Sequence, residues 1–396
     1  MGTTVQAILQ EHYERFAASQ PLAWYQQRAA EQLRDCRTAA LGGHIVGCPE
    51  GHVATVHYNS CRHRSCPQCA ALQREKWLAG WKGRLLDAPH MHLTFTTPDR
   101  LIPLWRYNKT RFANLLFRAG SEALQELLAD DEYLGALPGL LAALHTWSQQ
   151  LKCHVHLHVL VTWGGLTAEG RWRDPRRECL LPRAVLMHLF RDKLCAFLRR
   201  ALKRGQLVVP PDTTATGVQN LVNRLACVDW HVKVPEERYT HGRGVVTYWA
   251  RYLKGGPISN GRLVDCRNGV VRFWYRDRRD VDANEGRGRR KLLPLPVDQF
   301  LARLLEHVPP PGFQTVRAYG LYASSKRAEW AVAREHFGQE PELLPVEFTW
   351  RDFCARMGHS AAAVCPVCGA PLVVYGRFRA GRGPPPDAIP RLAGAA

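Results

Sequence analysis

The spacing of apolar positions changes along the chain, and each change predicts an element. Residues 154–162, His-Val-His-Leu-His-Val-Leu-Val-Thr, alternate imidazole with aliphatic side chains and then run on in apolar and β-branched residues, the pattern of a buried strand. Further strand-like runs lie at 91–97, 139–147, 229–234 and 269–275. Helical spacing covers 4–30, 70–86, 101–130, 182–206, 216–226 and 244–254. In the last of these Val245, Trp249 and Leu253 recur every fourth residue as a core-facing stripe, and the glycines at 255 and 256 end the helix. Strands separated by helices, with the histidine-rich strand in the middle, predict an α+β fold with helices packed on a sheet face. No internal repeat interrupts this order.

Composition narrows the partner. The chain of 396 residues is long enough for two or three domains, each with a core. It carries 54 Lys+Arg against 35 Asp+Glu, a formal charge of +19, which favours nucleic acid through counterion release. Its Arg-rich stretches are interleaved with Trp, His and Gly rather than set along one lipid-facing helix, which argues against a membrane surface. No apolar run reaches membrane-spanning length, and Met-Gly-Thr-Thr-Val-Gln lacks a basic-then-apolar signal. A reducing, cytoplasmic setting is therefore expected, and the 13 cysteines read as metal ligands or core residues rather than disulfides.

Side chains two apart on a strand share a face, so His156 and His158 point the same way, with His154 one step upstream. Two neutral imidazoles side by side suit a divalent metal; three merely hydrogen-bonded histidines, or a small zinc site, are the alternatives. Tyr248 and Tyr252 are four apart on the predicted helix 244–254, so their phenols stack on the stripe beside Trp249, with Arg251 and Lys254 close by to bind phosphate. For an isolated Tyr-x3-Tyr, ring packing would be the simpler account. Beside a histidine pair in a basic chain, paired nucleophiles become the better one. His90-Met-His92 repeats the His-x-His form next to a strand and is expected to support the main strand rather than ligate, with ligation by His92 the alternative.

Eight cysteines fall into two groups. In the first, Cys66-Pro-Gln-Cys69 has the form of a zinc knuckle, and Cys48-Pro-Glu-Gly-His52 could complete a Cys3His tetrahedron. Cys36, His44, Cys61 and His63 would then remain for a second ion. Arg62 and Arg64 on this module are placed to grip DNA. In the second group Cys365-Pro-Val-Cys368 is again a knuckle, with Cys354 and His359 as candidate completing ligands or, alternatively, a helix ahead of a redox-inert cysteine pair. Arg276-Asp-Arg-Arg279 and Arg287-Gly-Arg-Arg-Lys291 read as solvated loops or DNA-backbone contacts.

Taken in order, these motifs resemble the rolling-circle insertion-sequence transposases with two tyrosines and an HUH metal motif, where U is a hydrophobic residue. The resemblance runs from about position 30 to 325. It comprises Cys36-Arg-Thr, Leu41-Gly-Gly-His44, Asn59-Ser-Cys-Arg-x-Arg-x-Cys-Pro-x-Cys69, His92-Leu-Thr-Phe-Thr-Thr-Pro98, His145-Thr-Trp147, His156-Leu-His158 with Gly164-Gly165, Tyr248-x3-Tyr252 and Ile258-Ser-Asn-x-Arg262. Two departures stand out: Glu50-Gly-His52 where a second cysteine usually follows Cys48, and His154-Val155 where Asn-Pro usually precedes the histidine pair.

The resemblance implies a ferredoxin-like antiparallel sheet as the nuclease core, with the tyrosine helix set against the metal strand. It also implies that Tyr248 and Tyr252 are nucleophiles, that His156 and His158 hold Mg2+ or Mn2+ with a third ligand not identified, and that zinc is structural. Arg262 joins Arg62, Arg64, Arg251 and Lys254 as a DNA contact. The implied partner is single-stranded DNA, including transposon-end hairpins, and the implied setting is bacterial, cytoplasmic and nucleoid-associated. The expected layout is an N-terminal helix at 1–35, a zinc module at 36–88, a nuclease core at 89–280, a helical DNA-contact extension at 281–345, a zinc knuckle at 346–380 and a disordered tail at 381–396. A zinc-finger DNA-binding or regulatory protein without catalysis is the alternative function. A three-carboxylate transposase is disfavoured, since no Asp/Asp/Glu set lies on strand ends.

Overall fold

The computed structural model describes residues 2–175, 181–235, 238–253, 256–281, 288–340, 349–356, 364–382 and 384. At its centre is a five-stranded sheet in the order Val316–Gly320, Gly139–Trp147, Cys153–Thr162, His90–Thr96, Val232–Lys233, with every neighbouring pair antiparallel. The helix Lys109–Ala129 lies between His90–Thr96 and Gly139–Trp147, and the helices Arg183–Lys203 and Ala215–Ala226 lie between Cys153–Thr162 and Val232–Lys233. Gly139–Trp147 and Cys153–Thr162 are joined by a short turn. The expected α+β class and the central position of the histidine strand both hold.

The period-two alternation of the three middle strands sorts their side chains onto two faces. Phe95, Leu144, Leu157 and Val159 belong to the larger core, which packs under Phe112, Phe117 and Phe190 of the two long helices. Phe95 and Phe190 are 4.5 Å apart between ring centroids. The helix approaches the sheet closely at Gly120, where a Cβ would lie 2.8 Å from Leu157 Cδ2. On the opposite face Leu141, Ala143 and Leu160 meet Val245, Val246, Trp249 and Ala250 of the helix Arg243–Leu253 and Leu78 of the helix Ala71–Arg84. Because both faces are covered, the strand's imidazoles are drawn into a largely buried layer.

A second core joins distant parts of the chain. The helices Val5–Ser19 and Trp24–Arg34 pack with Val297–Glu306 and with the three-stranded sheet of Leu263–Arg267, Val270–Val281 and Gly288–Pro296. A third sheet pairs Val373–Phe378 with Gly43–Gly47, and Gly43–Gly47 with Ala54–Tyr58. The C-terminal segment thus docks on the cysteine-rich N-terminal module instead of forming a knuckle of its own. Neither stretch has enough apolar surface for a separate core, and joining them supplies one sheet in common.

Several expected bounds change for physical reasons. The predicted helix 4–30 is two helices, because Pro21 lacks an amide donor and displaces its predecessor from helical geometry. The run 101–130 breaks at Asn108, whose side chain holds the Leu104 and Val208 carbonyls at 2.9 and 2.8 Å. The stretch 281–345, expected to be helical, contributes the strands Gly288–Pro296 and Val316–Gly320 besides two helices. The Arg276–Arg279 run and residues 288–291 lie in paired strands rather than loops. Most of the tail 381–396 lies outside the described residues. Among the described residues no helix is long and apolar enough to cross a membrane.

Candidate active site and metal centres

On the covered face of the central sheet, three histidines converge. The hairpin register sets His145 directly opposite His156, and Thr94 of the next strand opposite His158. One ring nitrogen from each of His145, His156 and His158 lies within 4.8 Å of the others. His145 and His156 are buried and His158 is partly so. Burial, followed by the nearby His156 and His92 rings, pushes the His145 imidazole well below its usual range, so it stays neutral and able to ligate.

Hydrogen bonds around the triad assign its tautomers. An indole N–H can only donate, so Trp249 Nε1, 3.3 Å from His92 Nε2, makes that nitrogen an acceptor. His158 Nδ1 lies 2.9 Å from the same His92 nitrogen and 3.2 Å from Thr94 Oγ1, and must therefore carry the proton and donate. Burial, and then the charge of Lys233, lowers His92 to about 4, which keeps this acceptor neutral. His156 reaches the same tautomer by another route, donating from Nδ1 to the His154 carbonyl at 2.9 Å. Both Nε2 lone pairs then face each other 3.1 Å apart. Two lone pairs at that distance repel unless a proton or a metal cation lies between them. Adjacent positions around an octahedral ion with bonds of about 2.1 Å are about 3 Å apart, so the spacing fits one.

This network ties the triad to the helix Arg243–Leu253, because Trp249 is its fully buried anchor. Trp249→Phe keeps the ring in place but removes the N–H that fixes His92, freeing His158 to change tautomer. Loss of such a supporting hydrogen bond costs roughly 10–100-fold in metal affinity. Titration of the purified variant with Mn2+ by calorimetry is expected to show a weakening of that order; wild-type affinity would show that the indole does not act through His92.

One residue before Trp249, Tyr248 is 41% exposed, and Tyr252 follows on the same helix. The Arg251 and Tyr252 side chains, and all of Lys254, lie outside the described residues. The helix ends against the cysteine-rich module: Gly256 has φ +78°, and a Cβ there would sit 2.4 Å from the Ser65 carbonyl oxygen. Only glycine fits that left-handed, crowded position.

Beside Ser65 is the first cysteine set. The Sγ atoms of Cys36, Cys61, Cys66 and Cys69 all lie within 4.8 Å of one another, with Cys61–Cys69 at 3.5 Å and Cys36–Cys66 at 3.7 Å. Zn–S bonds of about 2.3 Å in a tetrahedron put sulfurs about 3.8 Å apart, so the set has the size of a zinc site. Donation from the Cys61, Cys66 and Cys69 thiols holds Cys36 far below its ordinary pKa, the state a metal ligand needs. The amides of Cys61 and His63 point at the Cys36 and Cys61 sulfurs at 3.4 and 3.5 Å. Zinc in small domains binds with about 10–16 kcal/mol. That is comparable with the whole stability of a domain, about 5–15 kcal/mol.

Residues 139–329 match the putative transposase family, and residues 8–97 match the transposase zinc-binding domain, which holds all four cysteines of the first set. The chain is 34% identical over 377 residues to the putative transposase y4qJ of Sinorhizobium fredii, covering 93% of each chain. It is 32% identical over 296 residues, 73% of this chain and 68% of the other, to the transposase for insertion sequence element IS801 of Pseudomonas savastanoi pv. phaseolicola. No solved structure matches. The chain belongs to the IS91-family rolling-circle transposases. Membership makes it a DNA-acting endonuclease and strand transferase of a mobile element, with an N-terminal zinc-binding domain.

Against the sequence expectations, the transposase keeps His156 and His158 together and brings His145 into the same cluster, where three donors could hold a metal ion. A simple extension of the hairpin from its 148–152 turn would pair 145 with 155; a register shift between His145 and Trp147 brings His145 opposite His156 instead, which the sequence alone does not reveal. His92 and His90 stand outside the three-histidine cluster, His92 against His158 and Trp249. His90 is fully buried, donating from Nδ1 to the Ala88 carbonyl at 2.8 Å and bonded to the Tyr322 hydroxyl at 2.7 Å. His154 supplies its carbonyl, while its ring lies 3.7 Å from Asp99.

The expected division of zinc ligands is corrected. Cys66 and Cys69 stand with Cys36 and Cys61, not with Cys48 and His52, which instead meet Cys365 and Cys368. The Cys61 and knuckle backbones fold back over Cys36 at the end of the helix Trp24–Arg34, while Cys48 and His52 lie at the far end of the hairpin facing the C-terminal strand. His44 stacks on His57 at 5.7 Å, and His63 Nδ1 accepts from the Ser65 amide at 3.2 Å, so neither joins a donor set. Cys354 is buried in a helix apart from the set, and His359 lies outside the described residues.

Two expected DNA contacts change as well. Arg64 turns inward and donates to the Phe313 carbonyl at 2.8 Å and to Thr315 Oγ1 at 3.1 Å, and burial lowers its pKa. Arg62 is exposed. Arg262 donates to the Trp274 carbonyl at 2.8 Å and to the Gln149 carbonyl, and so holds the wall of a groove. That groove, about 770 Å³, is bordered by Thr247 and Ala250 of the tyrosine helix and walled by Arg74, Arg276, Arg290 and Arg356 with Trp274 and Tyr275. Arg290 sits 4.3 Å over the Trp274 ring.

Proposed function

We propose that this transposase cuts and rejoins single-stranded DNA at transposon ends, including hairpin ends, through a 5′-phosphotyrosine formed on Tyr248 or Tyr252. The observation that carries the reading is the three-histidine layer buttressed by Trp249 of the helix that bears both tyrosines. The exposure of Tyr248 supports a reactive rather than a packing role. The strand order and the helix connections of the central sheet support a ferredoxin-like core of the HUH type.

In this reading His145, His156 and His158 hold Mg2+ or Mn2+. Bound there, the ion polarises a phosphate oxygen and offsets the charge that builds up during displacement at phosphorus. The tyrosine oxygen attacks the phosphorus and loses its proton. The bond from phosphorus to the 3′-oxygen breaks, and that oxygen takes up a proton, which leaves a free 3′-hydroxyl and a 5′-phosphotyrosine. The link conserves the phosphoester, so a 3′-hydroxyl from another strand reverses the step without an energy source. This agrees with the lack of a Gly-x4-Gly-Lys-Ser/Thr loop in the sequence. Two tyrosines allow two strands to be held at once or in alternation.

The groove beside the tyrosine helix combines guanidinium groups with two aromatic rings, the chemistry that grips a single strand by its phosphates and stacks its bases. Changing Trp274, Arg276 and Arg290 together to Ala is expected to weaken binding of a single-stranded end. It should also flatten the salt dependence, since each lost phosphate contact removes about 0.7 from the slope of log K against log salt. Fluorescence anisotropy across a salt series reads both; an unchanged slope would move the strand elsewhere.

The reading itself is tested by incubating the protein with labelled single-stranded end DNA and Mn2+ and running a denaturing gel. A labelled band at protein mass is expected. Its absence across end sequences taken from the element would favour a DNA-binding protein without catalysis.

A further inference from the structure

Cys48 and His52 of the N-terminal module face Cys365 and Cys368 across more than 300 residues of chain, and the four donor atoms lie within 4.8 Å of one another. Cys48 Sγ is 3.5 Å from His52 Nδ1 and 3.5 Å from Cys368 Sγ, and Cys365 Sγ is 3.9 Å from His52 Nδ1. A tetrahedral zinc with bonds of about 2.3 Å to sulfur and about 2.05 Å to nitrogen puts sulfur and nitrogen about 3.6 Å apart, and sulfurs about 3.8 Å apart. A disulfide is excluded at these separations, since its sulfurs lie about 2 Å apart.

The backbone is arranged around thiolates. The Glu50 amide donates to Cys48 Sγ at 3.3 Å and the Val367 amide to Cys365 Sγ at 3.4 Å, two residues on in both turns. Two structurally equivalent turns, one from each end of the chain, thus present sulfur to a common point. The strands beside them agree: Val373–Phe378 pairs with Gly43–Gly47, and the Tyr375 hydroxyl donates to the Cys48 carbonyl at 2.6 Å. The matched zinc-binding domain ends at residue 97, well before Cys365.

We propose that Cys48, His52, Cys365 and Cys368 bind a second structural zinc that fastens the C-terminal segment to the N-terminal zinc module. The His52 position explains the absent second cysteine after Cys48: a longer Cys-x3-His turn supplies nitrogen in its place. The module that ends against the tyrosine helix is then completed by residues from beyond the nuclease core. This proposal does not depend on the reading of the histidine triad, because its ligands and its readout are separate.

Zinc content of the purified full-length protein, measured by mass spectrometry of the metal, is expected to be two per chain. Cys365→Ser with Cys368→Ser should lower it to one, and hydrogen exchange at residues 43–47 and 373–378 should rise together. Should that variant fail to fold, His52→Cys keeps four donors: it retains two zinc ions, while X-ray absorption loses the nitrogen signal that the wild type shows beside its sulfurs. One zinc in the wild type, two in the doubly changed protein, or an unchanged nitrogen signal in His52→Cys would each overturn the proposal.

Discussion

Replacing His145 with Ala is expected to abolish strand cleavage while leaving most binding of single-stranded DNA, and His156→Ala and His158→Ala are expected to do the same. The three nitrogens converge on one point, so losing one would leave a bound ion with an open position and a poorer hold on the phosphate. Losing a preorganised stabiliser of transition-state charge costs about 10²–10³ in rate, and weaker retention of the ion adds to that. His145 is the most informative of the three, because it stands outside the His-x-His motif and joins the pair only through the folded sheet. Cleavage of an end oligonucleotide in Mn2+, with anisotropy on the same DNA, separates catalysis from binding. A His145→Ala protein that cuts at the wild-type rate would remove that residue from the metal site.

The second large effect concerns the phenols. Tyr248→Phe with Tyr252→Phe is expected to remove all covalent adduct, because no phenol oxygen is left to attack phosphorus, while the helix keeps its anchor in Trp249 and Val246. Circular dichroism and DNA affinity should match the wild type. The single variants should differ from each other in the amount of adduct formed on a given end. Adduct persisting in the double variant would assign the nucleophile to another residue.

The site was readable in the sequence to the extent that it rests on local periodicity. A strand of period two fixes that His156 and His158 share a face, and a stripe of period four fixes that Trp249 is buried beside the tyrosines. What local pattern could not supply was set by long-range pairing. His145 became a candidate ligand through its register with His156, and His92 became a tautomer-setting acceptor only once Trp249 was packed against it.

The zinc ligands show the same limit from the other side. Cys66-x2-Cys69 announces a knuckle, but which thiols complete it depends on how a helix, a hairpin and the far end of the chain fold together. Nearness in sequence favoured Cys48 and His52 as partners; the hairpin carries them away, towards Cys365 and Cys368. Arg64 illustrates a third limit. Its place on the knuckle suggested DNA, and the Phe313 carbonyl, 249 residues away, claims it instead.

The proposed chemistry requires a covalent bond between one of two phenols and a 5′-phosphate. The direct measurement is peptide mapping by mass spectrometry after the protein has reacted with a single-stranded transposon end in Mn2+ and the DNA has been trimmed by nuclease. A nucleotide phosphate mass on Tyr248 or Tyr252, formed only with the divalent ion present, is the predicted result. An adduct on any other residue, or the same adduct formed in full without the ion, would contradict the account.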